Sequence, residues 1–337
     1  MDSLTQLVLG ASVSEAVMQN KVGRKASLWG AVCGTLPDLD VFIPMGNAVK
    51  DFTYHRADSH AFFYMALATP LIVWLIMKIH PQTKKYKIRW LLAVFLTFIT
   101  HALLDSFNAY GTQVLLPFSN HPVGWSTIFV IDPLYTIPML TGLASLFFIR
   151  KKPALALKLN GIGILVSSLY LAWSIGAKAH VQSVAERSLS DQDIAVSGIQ
   201  VGPTPFNTLL WRVIGKTESG YVEGFYSLLD KSKEIQFKGY SSENELIDPI
   251  ADDWNVQRLK WFTKGFYKVS SINDKIVMTD IRMGVSGLYF FNFVVGEKSS
   301  VGIIPAKGEK FEPEGSDSME PLKRLWRRIW DEKVELF

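Results

Sequence analysis

His101 and Asp105 stand four residues apart at the end of the apolar run "IRWLLAVFLTFITHALLDS". That spacing puts both side chains on one face of a helix, where an imidazole and a carboxylate can share a metal ion. The same residue types recur in three other short segments. "LPDLD" carries Asp38 and Asp40, "YHRADSH" carries His55 and His60, and "VIDPLYT" carries Asp132. An ionisable group at membrane depth costs about 2.5–3.5 kcal/mol unless paired or solvated. Several carboxylates together also repel one another. A divalent cation answers both difficulties, and His mixed with Asp suits zinc or a related metal. The expected metal ligands are His55, His60, His101, Asp105, Asp38, Asp40 and Asp132, around a divalent metal for which zinc is the favoured ion. Asp38, Asp40 and Arg56 are the expected catalytic groups. A carboxylate off the metal would serve as general base, and Arg56 would steady an anionic oxygen.

Each residue also has an ordinary reading. An Asp in "PDLD" can cap a helix or a turn, Asp132 before Pro133 can start one, and Arg56 can pair with Asp58. The convergence of several segments favours the metal. His80 falls in a basic loop and has no expected role, while His121 and His180 are expected only as outer neighbours of the site.

The elements that must position these residues are apolar helices. Residues 61–79, 89–107, 129–149 and 159–177 each hold about 20 apolar residues, enough for roughly 30 Å of hydrocarbon. Two shorter stretches, 3–18 and 26–37, fit short or tilted spans, a re-entrant pair or a buried or interfacial hairpin. The loops "NKVGRK", "HPQTKKYKIR" and "RKKPALALK" are basic and are expected on the cytoplasmic side. All four ligand-bearing segments then fall at the opposite, outer end.

The chain of 337 residues is 48% hydrophobic and 20% charged, averages that hide two different halves. Between Arg89 and Arg150 the Asp, Glu, Lys and Arg residues are Asp105 and Asp132 alone, whereas from about residue 179 the composition is that of a water-soluble domain. Segments such as "GYVEGFYSLL", "KIVMTDIRM" and "LYFFNFVVG", divided by polar turns, read as strands. "SMEPLKRLWRRIWDEKVEL" reads as a helix that closes this domain or lies on a membrane surface. The expected fold is an α-helical polytopic membrane domain, 1–178, with four spans and two short N-terminal helices. A smaller strand-rich α+β soluble domain with a C-terminal helix, 179–337, follows it. The net charge of +4 gives no reason to invoke nucleic acid, and the single Cys33 excludes an intrachain disulfide. "MDSLTQLVLGAS" has no basic leader and is expected to be mature structure.

"MDSLTQLVLGASVSEA", "GTLPDLD", "HRADSHAF", "HALLDSFNAYGTQVLLPFS" and "IDPLYT" together resemble the YdjM-type inner-membrane metal-dependent hydrolases, over roughly residues 1–140. The resemblance implies a helical membrane protein of hydrolase class, with Asp38, Asp40, His55, His60, His101 and Asp105 in its motifs. Ala57 and Ser59 stand where the family often has Gly and Thr, and Gln6 stands where some members have a His.

The functional expectation is a metal-dependent hydrolase of the bacterial inner membrane, multi-pass, with its site at the outer face and its C-terminal domain extracytoplasmic. The bilayer is its expected partner and a lipid or lipid-linked ester its expected substrate. A divalent-ion transporter and a non-catalytic membrane protein with a structural metal are the alternatives. The one-sided placement of charge favours a site over a conduit.

Overall fold

Small residues set the first helix pair. In the computed structural model, which describes residues 1–149, 151–285, 288–312 and 320–336, α1 (Ser3–Met18) and α2 (Lys25–Thr35) pack backbone against backbone. A Cβ on Gly10 would collide with the Gly30 carbonyl oxygen, one on Gly30 with the Gly10 carbonyl oxygen, and one on Gly34 with the Gln6 carbonyl oxygen. This close approach of glycines is common between membrane helices. Gln19 and Asn20, both with positive φ, turn the chain between the two helices. At 1.5 Å per residue α1 and α2 reach about 24 and 17 Å, short of the roughly 30 Å hydrocarbon layer.

The chain divides into two compact units, Met1–Ile43 with His55–Ile175, and Pro44–Tyr54 with Gly176–Phe337. The first unit is helical. After α2 a 3₁₀ turn, Pro37–Phe42, carries the "PDLD" aspartates. The chain then contributes α3 (Ala48–Tyr54) to the second unit, and re-enters the first at His55. There follow α4 (Phe62–Ile79), α5 (Lys87–Ser106), α6 (Pro133–Phe148) and α7 (Pro153–Asp191), the last continuing into the second unit.

Among the described residues three helical stretches are long and apolar enough to cross a membrane: Phe62–Ile79, Pro81–Ser106 and Pro153–Asp191. The helix Pro133–Phe148 is apolar but 16 residues long. It is shorter than the run 129–149 because the Asp132 side chain caps it and Pro133 starts it. The burial pattern is that of helices in lipid. On α5 Trp90, Val94, Thr97, His101 and Asp105 form a buried stripe, while Leu92, Leu96 and Leu103 face outward. α4 exposes Leu67, Leu71 and Trp74, and α7 exposes Leu165, Leu169 and Trp173.

The second unit is strand-rich and antiparallel. β1 (Gly198–Pro203), β2 (Leu210–Thr217), β3 (Gly220–Ser227) and β4 (Lys238–Ser241) form one sheet in chain order. After α8 (Trp254–Phe262), β5 (Tyr267–Ile272) and β6 (Lys275–Asp280) pair through Asn273 and Asp274, both with positive φ as a tight hairpin turn requires. β7 (Gly284–Val285) and β8 (Leu288–Tyr289) form a small ribbon. β9 (Asn292–Ser299) and β10 (Gly302–Lys310) complete a second sheet of order β10-β9-β6-β5.

Within this unit α3 lays Phe52 against Phe262, Phe291 and Phe293, with ring centroids 4.9, 4.5 and 5.1 Å away. Arg258 donates to the Thr53 hydroxyl at 3.0 Å and stacks on Tyr54 at 4.7 Å. α9 (Glu320–Arg328) closes on the first sheet, with Leu325 and the following Ile329 packed on Leu210 and Phe225. Arg328 pairs with Asp230 at 2.7 Å, and Trp326 and Trp330 stay exposed.

Candidate metal centre

Three segments of the first unit deliver the candidate ligands. α5 turns His101 and Asp105 inward on its buried stripe. The 3₁₀ turn after α2 presents Asp38 and Asp40 from successive alternate positions. The segment from His55 to His60 folds back on itself at Arg56, whose φ of +62° is an uncommon conformation for a side chain of this size. That bend is held from both sides. The Arg56 N–H donates to Asp40 Oδ2 at 3.0 Å, and its carbonyl accepts from the Gln113 N–H at 2.9 Å.

Asp38, His60, His101 and Asp105 converge so that one ligand atom from each lies within 4.8 Å of all the others. The Nε2 atoms of His60 and His101 are 3.1 Å apart. Asp38 Oδ1 lies 3.3 and 3.6 Å from them, and Asp105 Oδ2 lies 3.1 and 3.5 Å from them. A tetrahedral ion with bonds of about 2.0–2.1 Å needs ligand atoms about 3.3 Å apart. The spacing therefore fits a metal ion at the centre. Asp38 Oδ1 and Asp105 Oδ2 are buried with no hydrogen-bond partner among the described residues, which leaves both oxygens available as ligands.

The surrounding hydrogen bonds fix the imidazoles for this task. His101 Nδ1 sits 2.7 Å from the Gly34 carbonyl oxygen, so it carries the proton and donates. Nε2 is then the ring's lone-pair atom. The close α1–α2 packing is what sets Gly34 there. His60 Nδ1 lies 2.8 Å from Ser59 Oγ, and Ser59 in turn donates to Asp40 Oδ2. The chain carboxylate, hydroxyl, imidazole again directs His60 Nε2 at the centre. Gln6 Nε2 donates to Asp105 Oδ1 at 3.1 Å and to the His101 carbonyl at 3.2 Å. The Met1 amino group also donates to Asp105 Oδ1.

Electrostatics favour a cation. Burial alone would raise the Asp38 carboxyl, but the adjoining His101 and His60 imidazoles outweigh it and hold it below the usual carboxylate range. Asp40 behaves alike, with burial opposed by the hydrogen bonds from His55 and Ser59. His60 is moved the other way. Burial opposes its charge, yet Asp105 and Asp38 raise its pKa above the ordinary imidazole value. A field that favours a proton on that nitrogen favours a metal ion there as well.

The remaining expected residues take other places. Asp40 stands one layer out, bonded to His55 Nδ1 at 2.6 Å, to the Arg56 N–H and to Ser59. His55 stands with it, its ring 6.1 Å from that of His60 and 5.4 Å from that of Tyr110. Asp132 is not brought to the group of four. Its Oδ1 accepts from the Leu134 N–H at 3.0 Å as an N-cap, and its Oδ2 accepts from the Tyr170 hydroxyl at 2.9 Å. The acidic residue before a proline at a helix start was the only warning of that role. Arg56 lies against Asp105, with Nη2 3.4 Å from Oδ1. His180 faces the ring of Tyr226 in the second unit at 6.1 Å. Sequence reasoning assigned no part to Gly34 or Tyr110. Gly34 was legible only as a glycine close before "LPDLD", because a carbonyl that receives an imidazole has no sequence signature.

The loop after α5 covers this end. Thr112 and Val123 pair across it, the Phe62 N–H donates to the Val114 carbonyl at 3.0 Å, and Tyr110, Thr112, Gln113 and Val114 are buried.

A family model described as YdjM inner membrane protein matches residues 1–181, a range that contains the whole group. The uncharacterized protein YfhP of Bacillus subtilis (strain 168) is 25% identical over 316 residues, 88% of this chain and 90% of that protein. No solved structure matches.

Proposed function

The chain belongs to the YdjM inner membrane protein family, and we propose that it works there as a membrane-bound, zinc-dependent hydrolase. The observation that carries this reading is the set of four ligand atoms, two imidazole nitrogens and two carboxylate oxygens, within 4.8 Å of one another. Asp38, His60, His101 and Asp105 would hold the ion. Bound zinc supplies a water of pKa about 7 and polarises a scissile carbonyl or phosphoryl oxygen. The protein's own residues do the rest. Gly34 and Ser59 hold the two imidazoles in the tautomer that offers Nε2. Asp40 orients His55 through its Nδ1–H, which leaves His55 Nε2 to take a proton from the attacking water and return it to the leaving group. The covering loop limits access of bulk water.

The four-span multi-pass topology, with basic loops inside and the C-terminal domain extracytoplasmic, belongs to this proposal, as does a substrate drawn from the bilayer. The basic loops support the orientation. Reporter fusions at the loop 80–89 and after α7 test it: opposite sides are expected, and a common side overturns it.

The metal reading is tested by elemental analysis of the purified full-length protein. Wild type is expected to carry zinc and His101→Ala to lose it, whereas full zinc stoichiometry in His101→Ala would overturn the assignment. A transport path would need further groups through the membrane. Glu15, the acidic residue of α1, has its Oε1 occupied by the N–H and hydroxyl of Ser27. Glu15-dependent metal uptake into sealed vesicles would favour transport instead.

A further inference from the structure

We propose that the group recognised at this site is a phosphoryl group and that Arg56 is its anchor, an inference that rests on the metal-site reading above and narrows its substrate to phosphate esters. Arg56 is 5% exposed, and its Nε and Nη1 have no hydrogen-bond partner among the described residues. Nη2 alone is engaged electrostatically, 3.4 Å from Asp105 Oδ1. A guanidinium buried with two donors unmet is an uncommon arrangement. It is also a built one. The backbone of Arg56 is fixed by Asp40 and Gln113, and its guanidinium lies over the Tyr110 ring at 5.1 Å. The side chain that touches Asp105, one of the four grouped ligands, is therefore held with part of its donor fork unspent.

The unmet donors select the ligand. N–H donors on two edges of a planar guanidinium match the several oxygens of a phosphate, whose negative charge the guanidinium also neutralises. The neutral carbonyl oxygen of a carboxylic ester offers one acceptor and no ground-state charge, and would leave a buried donor unmet. A phosphate ester would place one oxygen towards the grouped ligands and others on Arg56. In the hydrolysis, the water oxygen bonds to phosphorus as the ester P–O bond breaks. One water proton passes to His55, and the departing alkoxide takes a proton to leave as an alcohol. Nothing is oxidised or reduced. If Arg56 served only as a counter-charge for Asp105, its removal would alter metal binding and leave anion binding untouched.

The test uses the full-length protein in detergent, with inorganic phosphate as the probe and calorimetry as the readout, zinc content being measured in parallel. Wild type is expected to bind phosphate, and Arg56→Gln to bind it about tenfold or more weakly at unchanged zinc content. Arg56→Lys, which keeps the charge without the fork, should fall between, and serves alone if the Gln variant fails to fold. Unchanged phosphate affinity in the variant overturns the anchor, as does displacement of phosphate by acetate at equal concentration. Arg56-dependent phosphate binding by a wild type that carries no zinc would keep the anchor and sink the metal reading. Zinc binding with no Arg56 effect would do the reverse. Competition then separates the sources of the phosphoryl group. Micellar phosphatidic acid displacing phosphate better than glycerol 3-phosphate supports a lipid substrate, equal displacement supports a soluble ester, and displacement by neither overturns the proposal.

Discussion

His60 and His101 can serve as ligands because of what their other nitrogens do. An imidazole free to rotate offers either nitrogen. Here Gly34 and Ser59 each accept a hydrogen bond from the Nδ1–H. Residues that orient a ligand in this way typically contribute 10–100-fold to metal affinity. Ser59→Ala should therefore keep its fold and weaken metal binding by about tenfold, read by competition with a fluorescent chelator. Asp105→Asn removes a ligand oxygen and should lose the metal outright, by elemental analysis. Asp132→Ala should leave metal content unchanged and lower stability by about 1 kcal/mol, the usual worth of an N-cap, read as a fall in melting temperature. Residue type marked all these positions alike. It could not rank them, because ligand, support and cap are distinguished by partners that come from other segments.

At the level of elements, the glycines of α1 and α2 fix where Gly34 can stand. Gly30→Ala would drive a Cβ into the Gly10 carbonyl, a backbone atom that cannot rotate away. The helices should separate, with a loss of about 1–3 kcal/mol and a fall in metal content as the His101 support moves. Gly161→Ala is the control. A Cβ there meets nothing within 4 Å, so stability should hold or rise by about 0.5–1 kcal/mol from the better helix propensity of alanine. Melting temperature and metal content of the two variants together check the claim. The inward stripe of α5 was readable from the four-residue spacing of His101 and Asp105. The short reach of α1 and α2 was readable from their length. Their glycine-to-backbone packing was not, since a Gly in an apolar helix has the same sequence appearance whether it faces lipid or a neighbour.

Across the whole molecule, the segment from Pro44 to Tyr54 belongs with the second unit although it lies in the chain between Asp40 and His55. Phe52 is its main packing residue there, against Phe262, Phe291 and Phe293. Phe52→Ala should destabilise the second unit by about 3–5 kcal/mol, seen as earlier unfolding of its strand signal in circular dichroism. Nothing in "PMGNAVKDFTY" announces this membership. A short helix with one or two aromatic residues gains stability only from the surface it meets, and that surface is assembled from residues more than 200 positions later.

The sequence by itself determined that the N-terminal part is apolar and helical, that a strand-rich part follows, and that His and Asp residues gather near the ends of apolar runs. Those properties depend on composition and short-range periodicity, which each segment carries alone. Only the tertiary structure decided that Asp38, His60, His101 and Asp105 meet, that Asp40 and His55 stand behind them, and that Asp132 caps a helix instead. It also decided that Arg56 is buried with donors to spare. These outcomes depend on distances of 2.6 to 3.6 Å between segments up to 67 residues apart. Such distances are set by helix packing and backbone turns, and no local pattern encodes them.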